Sequence, residues 1–150
     1  MTVDHLNQTA LFYASREGKS SVVELLVKSG CPPNHVDNYG QTAIFYGARE
    51  GHVEVCRRLV SLGANAGQLD KNQQTPLYYA VRGGKIETIN FLLDSGADVN
   101  AEDNKFQTPL SFAKRSNKPQ VINLLISRGA KGTGQLKTDG GSQKSKKTSS

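Results

Sequence analysis

Apolar, polar and glycine positions recur along the chain with a period of 33 residues. Threonine occupies positions 9, 42, 75 and 108, each directly before an apolar run, and glycine occupies positions 30, 63, 96 and 129. Paired apolar positions keep the same step, for example at Leu59 and Leu92. So many coincident registers indicate a tandem repeat.

Each repeat predicts two helices. Threonine favours a helix N-terminus because its hydroxyl can accept a hydrogen bond from an orphan amide, and Pro76 and Pro109 follow it at the first helical position. Gly18, Gly51, Gly84 and Asn117 tolerate the positive φ that ends the first helix. The second helix carries apolar residues at i, i+3 and i+4 spacing. These are Val22, Leu25 and Leu26 in the first repeat, and Val121, Leu124 and Leu125 in the fourth.

Stacking is the way in which such helix pairs can bury their apolar faces, so the pattern predicts an all-α solenoid with one continuous core. The four repeats cover about 4–36, 37–69, 70–102 and 103–130, within a folded region of residues 1–130. Aspartate recurs at positions 4, 37, 70 and 103 and predicts a tight turn in each repeat. Residues 33 apart should form ladders along the stack, with a spacing of about 8–10 Å.

Charge is distributed unevenly along the chain. The formal net charge is +6, but residues 131–150 contain five Lys and one Asp, a net +4. This Gly/Ser/Lys segment lacks the apolar residues that could offset ordering entropy, so we expect a disordered basic tail. The near-neutral folded part weakens the case for nucleic-acid binding. Binding of nucleic acid or an anionic surface through the tail remains an alternative function.

The sequence gives no sign of an enzyme, a metal site or a cofactor site. His5, His35 and His52 do not fall in a recognisable catalytic pattern with Ser or Cys, and the two cysteines form no CxxC motif. The N-terminus lacks a secretory pattern, so we expect a protein of the cytoplasm or nucleus. We also expect a monomer.

The runs TALFYA, TAIFYG, TPLYYA and TPLSFA resemble the T-P-L-H-x-A signature of the ankyrin repeat. The resemblance implies stacked helix pairs with β-turn fingers, and a scaffold that binds proteins through the fingers and the concave side of the first helices. It is incomplete in two places. The family's His is replaced by Phe12, Phe45, Tyr78 and Ser111, and the turn glycine survives only as Gly40. Since Phe106 adopts positive φ only at a cost, we expect a differently shaped last turn.

Two ladders of polar residues should lie on that concave side, one of Gln and one of Arg. Gln can pair with amides and Arg can bind carboxylates in bidentate fashion, so we expect an extended acidic segment of a partner on repeats 2 to 4. The alternative is that four duplicated copies inherited these residues and that they are simply solvated. The candidate partner-binding residues are Tyr39, Gln41, Arg49, Glu50, Lys71, Asn72, Gln74, Arg82, Lys105, Gln107 and Arg115.

Two further hypotheses concern the aromatic and asparagine residues. The aromatic pairs, such as Phe45 with Tyr46, should pack between repeats, but they could instead form a cage for methyl-lysine with Tyr39 as a wall. Asn34 and Asn100 occupy the turn position at which the resemblance implies a possible substrate of asparaginyl hydroxylases, so hydroxylation of both residues is a hypothesis. The alternative is that both only stabilise the turn.

Overall fold

The computed structural model describes residues 1–131, which form eight α-helices in four consecutive pairs. The predicted all-α repeat fold is confirmed. Residues 132–150, which hold nearly all of the predicted basic tail, lie outside the described residues. The helices are α1 (Ala10–Arg16), α2 (Ser20–Lys28), α3 (Ala43–Glu50), α4 (Val53–Ser61), α5 (Pro76–Arg82), α6 (Ile86–Asp94), α7 (Pro109–Arg115) and α8 (Pro119–Ser127).

Capping by the threonine hydroxyl occurs in only two of the four first helices. Thr75 accepts a hydrogen bond from an amide of the first turn at 3.3 Å, and Thr108 takes part in a reciprocal capping box. The prediction is wrong for Thr9 and Thr42, whose side chains make no cap. The hydroxyl of Thr9 lies 3.5 Å from the Sγ of Cys31 and accepts from that thiol instead. The buried hydroxyl of Thr42 has no hydrogen-bond partner, and nothing in the structure explains why.

Like helices pack on like helices. The first helices form the series α1, α3, α5 and α7, each in contact with the next, and α4 packs between α2 and α6. The core therefore continues from repeat to repeat, with Ile44, Leu59, Leu77 and Leu92 all fully buried.

The ends of the stack depart from the predicted apolar stripe. Val22 and Leu25 are 43% and 64% exposed, and Val23 is the buried residue of α2. The prediction is wrong there because the first repeat has a packing neighbour on only one side within the described chain. At the other end Leu125 is buried, whereas Ile126 is exposed, so the apolar residues of α8 do not all pack inward.

Each repeat projects the same five-residue turn, here called a finger, at residues 4–8, 37–41, 70–74 and 103–107. The first residue is Asp, and its Oδ1 accepts hydrogen bonds from the amides two and four residues ahead; in Asp103 the distances are 2.8 and 2.9 Å. The fourth residue has positive φ, 76° at Gly40 and 61° at Phe106. The expectation of a differently shaped last finger is wrong, because Asp103 holds Phe106 in the left-handed conformation. Successive fingers are joined by backbone bonds, as from Lys71 N–H to the Tyr39 carbonyl at 3.1 Å.

Candidate functional site

The second carboxylate oxygen of a finger Asp joins neighbouring repeats. Oδ2 of Asp70 accepts from Gln41 Nε2 at 2.9 Å and from the hydroxyl of Tyr79 at 2.8 Å. The Tyr79 hydroxyl also accepts from Gln41 Nε2 at 3.0 Å. We call this group of a Gln with the Asp and Tyr of the following repeat a rung. The equivalent rung one repeat earlier consists of Gln8, Asp37 and Tyr46.

An arginine closes each of these two rungs. Arg49 donates to Gln41 Oε1 at 3.1 Å, and its guanidinium carbon lies 4.7 Å from the centre of the Tyr46 ring and 4.8 Å from that of Tyr79. Arg16 repeats the arrangement, with its guanidinium carbon 4.9 Å from the Tyr46 ring. A hydrogen bond and two cation–π contacts therefore hold each guanidinium within the protein.

Gln41 was expected to contact a partner, but its amide lies inside this network. Its side chain is only 5% exposed, and both the oxygen and the nitrogen of its amide have partners within the chain. Gln41 therefore joins repeats instead of presenting its amide to the surface.

The third rung lacks a hydroxyl because Phe112 stands where the other repeats have Tyr. Gln74 Nε2 donates to Asp103 Oδ2 at 3.2 Å, and Gln74 Oε1 lies 2.8 Å from the Tyr79 hydroxyl. Arg82 is exposed and, within residues 1–131, its side chain makes no hydrogen bond, ion pair or ring contact.

A cavity of about 530 Å³ opens beside the complete rungs, on the face formed by the first helices and the fingers, here called the inner face. Of the predicted partner-binding residues, it brings together Tyr39, Gln41, Arg49, Lys71, Asn72 and Arg82. It also contains six that the sequence reasoning left out of the site, namely Leu6, Gln8, Arg16, Tyr46, Asp70 and Tyr79. The 33-residue register of Arg16 and Gln8 was the signal that could have found the first repeat's contribution.

The other predicted residues lie elsewhere. Glu50, Gln74, Lys105, Gln107 and Arg115 are outside this cavity, which belongs to repeats 1 to 3 and not to repeats 2 to 4 as expected. Arg115 donates to Gln107 Oε1 at 2.9 Å and lies over the ring of Phe112, so those two residues form a separate pair in the fourth repeat.

Cations dominate the charged lining of the cavity. Arg16, Arg49, Arg82 and Lys71 line it, against the single carboxylate of Asp70. That carboxylate already accepts four hydrogen bonds, two on each oxygen. Within the described residues, the ion pairs lie on the opposite side, where residues of the second helices and Arg128 form them. Asp70 therefore offsets only one of the four positive charges that line the cavity.

The aromatic ladder does not form an open cage. Phe45 is fully buried, Tyr46 and Tyr79 are each 5% exposed, and neighbouring aromatic rings meet edge to face, as Phe45 and Tyr79 do at 5.9 Å. Arg49 already covers both tyrosine rings. The methyl-lysine cage is therefore contradicted, because an arginine of the chain occupies the faces that a ligand cation would need.

The buried tyrosines keep their protons well into the alkaline range. Burial, reinforced by the hydrogen bond to Asp70, raises the pKa of Tyr79 to about 12. The same causes, with Asp37 as the partner, raise the pKa of Tyr46. Both hydroxyls thus remain hydrogen-bond donors to a carboxylate at neutral pH.

The two candidate asparagines also join repeats. Asn34 Nδ2 donates to the Gly63 carbonyl at 3.0 Å, and its Oδ1 accepts from the Asn65 amide at 2.8 Å. Asn100 makes the equivalent bridge at the fourth repeat. Gly67 stands at this position in the second repeat, so the bridge is missing between repeats 2 and 3. This geometry accounts for a turn-stabilising role, and hydroxylation stays a prediction.

Comparison with protein-family models identifies a family. A family model described as ankyrin repeats in three copies matches residues 2–70 and 59–135. No curated protein matches the chain. Within residues 1–131, no cluster of three or more His, Cys, Asp or Glu side chains is arranged to hold a metal ion. No helix in that range is long and apolar enough to cross a membrane.

Proposed function

Because this chain belongs to the ankyrin-repeat family, whose members are generally non-catalytic protein–protein interaction modules, we propose that it binds a partner protein in the inner-face cavity. The bound part of the partner is an extended segment that carries acidic side chains. The observation that carries this proposal is the charge of the lining, where three arginines and a lysine meet a single carboxylate that already has four hydrogen-bond donors.

The dimensions of the cavity favour an extended segment. Its lining comes from three successive repeats, and neighbouring first helices are separated by about 8–10 Å. A path along three repeats therefore covers roughly 16–20 Å, which corresponds to about five or six residues of extended chain. Tyr39 is 52% exposed at a fingertip and offers an aromatic surface beside the cations. A segment with carboxylates and one apolar side chain matches this surface.

Affinity capture from cell extract tests the proposal. The variant carries Arg49→Glu and Arg82→Glu, which reverse two charges of the cavity. The matched control carries Lys28→Glu and Arg57→Glu, which make the same charge change on the second helices, where the side chains are 63% and 55% exposed. Captured proteins are identified by mass spectrometry, and circular dichroism checks that each variant is folded.

We expect the cavity variant to lose partners that the wild type and the control both retain. The lost partners should share short acidic segments, and synthetic peptides of those segments should compete for binding. Retention of every partner by a folded cavity variant would reject the inner-face site. Equal loss in both variants would instead attribute binding to net charge alone.

We further propose a cytoplasmic or nuclear location. Cys31 and Cys56 are both free thiols, which is typical of a reducing compartment. Imaging of the tagged chain tests this, and accumulation in the secretory pathway would contradict it.

A further inference from the structure

Arg82 differs from the other arginines of its ladder. Arg16 and Arg49 are each held by a glutamine oxygen and two tyrosine rings, and Arg115 is held by Gln107 and the ring of Phe112. Arg82 has none of these contacts, although it occupies the same position in its repeat. Its five N–H donors face solvent at the edge of the cavity.

Gln74, the glutamine of the same repeat as Arg82, makes different hydrogen bonds from Gln8 and Gln41. In the complete rungs, the tyrosine hydroxyl of the following repeat accepts from the glutamine Nε2, which leaves the glutamine Oε1 for its own arginine. Phe112 offers no hydroxyl to Gln74. The Oε1 of Gln74 instead lies 2.8 Å from the Tyr79 hydroxyl, where it competes with Asp70 Oδ2 for the single hydroxyl proton, and it accepts no hydrogen bond from Arg82.

We infer that Arg82 is the specificity-determining anchor of the cavity, binding one carboxylate of the acidic segment in bidentate fashion; this inference rests on the proposed function. Arg49 already donates an N–H to Gln41 and is fixed between two tyrosine rings, whereas the side chain of Arg82 has all five N–H donors available and can turn towards a ligand. Lys71 lines the same cavity and adds a further positive charge. The substitution of Tyr by Phe at position 112 thus releases a binding group at position 82.

The test restores the missing hydroxyl. F112Y leaves every formal charge of the cavity unchanged. The new hydroxyl should donate to Asp103 Oδ2 and accept from Gln74 Nε2. Gln74 Oε1 should then accept a hydrogen bond from Arg82, and the guanidinium of Arg82 should lie over the ring of Tyr79 and the ring at position 112. We expect F112Y to raise the unfolding temperature and to weaken anion binding by about tenfold or more, which is the range of a bidentate charge-assisted contact.

Arginine Nε–H signals in NMR spectra of the full chain provide the readout. The Arg82 signal is assigned by its loss in Arg82→Gln. The probes are blocked peptides Gly-Ser-Xaa-Ser-Gly, in which Xaa is Glu, phosphoserine or Gln. We expect the Glu peptide to shift the Arg82 signal at a lower concentration than the Arg49 signal, and the Gln peptide to shift neither. The phosphoserine peptide distinguishes a phosphate from a carboxylate as the preferred anion.

Arg115→Gln is the matched control, since it removes the same charge at the same position of the next repeat, outside the cavity. Arg82→Gln should weaken binding of the Glu peptide at least tenfold, and Arg115→Gln should leave it nearly unchanged. Equal effects of the two variants would overturn the inference.

The F112Y variant separates this inference from the proposed function. If the Arg49→Glu, Arg82→Glu protein loses its partners while F112Y binds them and the Glu peptide as the wild type does, the cavity is the site but Arg82 is not its anchor. If neither variant alters partner binding, both the inference and the proposed function fail.

Discussion

Deletion of the Tyr79 hydroxyl should destabilise the protein far more than the same deletion at Tyr13. In Tyr79→Phe, the ring keeps its packing, but Asp70 loses a donor at 2.8 Å and Gln41 loses an acceptor at 3.0 Å. A hydrogen bond to a charged group contributes about 1.5–3 kcal/mol, and the Tyr79 side chain is only 5% exposed. We expect a loss of that size in the free energy of unfolding. At roughly 4 °C per kcal/mol for a domain of this length, Tm should fall by roughly 6–12 °C.

Tyr13→Phe provides the internal comparison. Its hydroxyl also donates to a finger Asp, Asp4, but the side chain is 44% exposed and water can take over the bond. Its cost should stay within about 0.5 kcal/mol. Urea titrations followed by circular dichroism at 222 nm give both values under identical conditions. Similar losses in the two variants would show that the rung does not stabilise the stack, and that a missing hydroxyl at Phe112 does not explain the free side chain of Arg82.

Three further predictions concern the core, the last finger and alkaline pH. Leu92→Ala should lower the free energy of unfolding by about 2–5 kcal/mol because Leu92 is fully buried. Gln74→Ala should lower it by only about 1 kcal/mol because the two hydrogen bonds of Gln74 are only partly buried. Equal shifts of the urea midpoint in the two variants would contradict the assignment of Leu92 to the core and of Gln74 to the inner face. Phe106→Gly should stabilise the fold by about 0.5–1 kcal/mol, since φ is 61° there, and Phe106→Ala, which keeps the strain, should give no such gain in Tm. The pKa of Tyr79 is raised to about 12 from an unfolded value of about 10. Its contribution to stability is therefore complete below about pH 10 and is lost as pH rises towards 12. The urea midpoint should fall across that range, and a fall of the same size in Tyr79→Phe would contradict this origin.

The periodicity of the sequence was sufficient to predict the fold, because every repeat carries the same local signals for the start and end of its helices. Thr before an apolar run and glycine 33 residues apart define helices and their ends without knowledge of the neighbours. The predictions fail at positions whose burial depends on a neighbouring repeat. Val22 occupies a core position of the repeat but is exposed, because that position is buried only when a preceding repeat covers it.

The candidate site was less predictable because its contacts skip between repeats. Gln41 contacts residues 29 and 38 positions further along the chain, so its local sequence does not reveal that it is buried. The decisive difference was nevertheless visible as Phe112 in a column of tyrosines. Its effect on Arg82 follows only once the hydrogen bonds of Gln74 are known.

The ties between repeats also give the solenoid an uneven elasticity. Between repeats 1 and 2, a tyrosine rung on the inner face is accompanied by the Asn34 bridge at the ends of the second helices. Between repeats 2 and 3, the rung is complete but the asparagine bridge is missing, because Gly67 stands in its place. Between repeats 3 and 4, the Asn100 bridge is present but the rung lacks its tyrosine hydroxyl. The junction between repeats 2 and 3 therefore has fewer side-chain ties at the ends of the second helices, and the junction between repeats 3 and 4 has fewer on the inner face. A load applied to the inner face is therefore resisted by fewer side-chain hydrogen bonds between repeats 3 and 4 than between repeats 2 and 3.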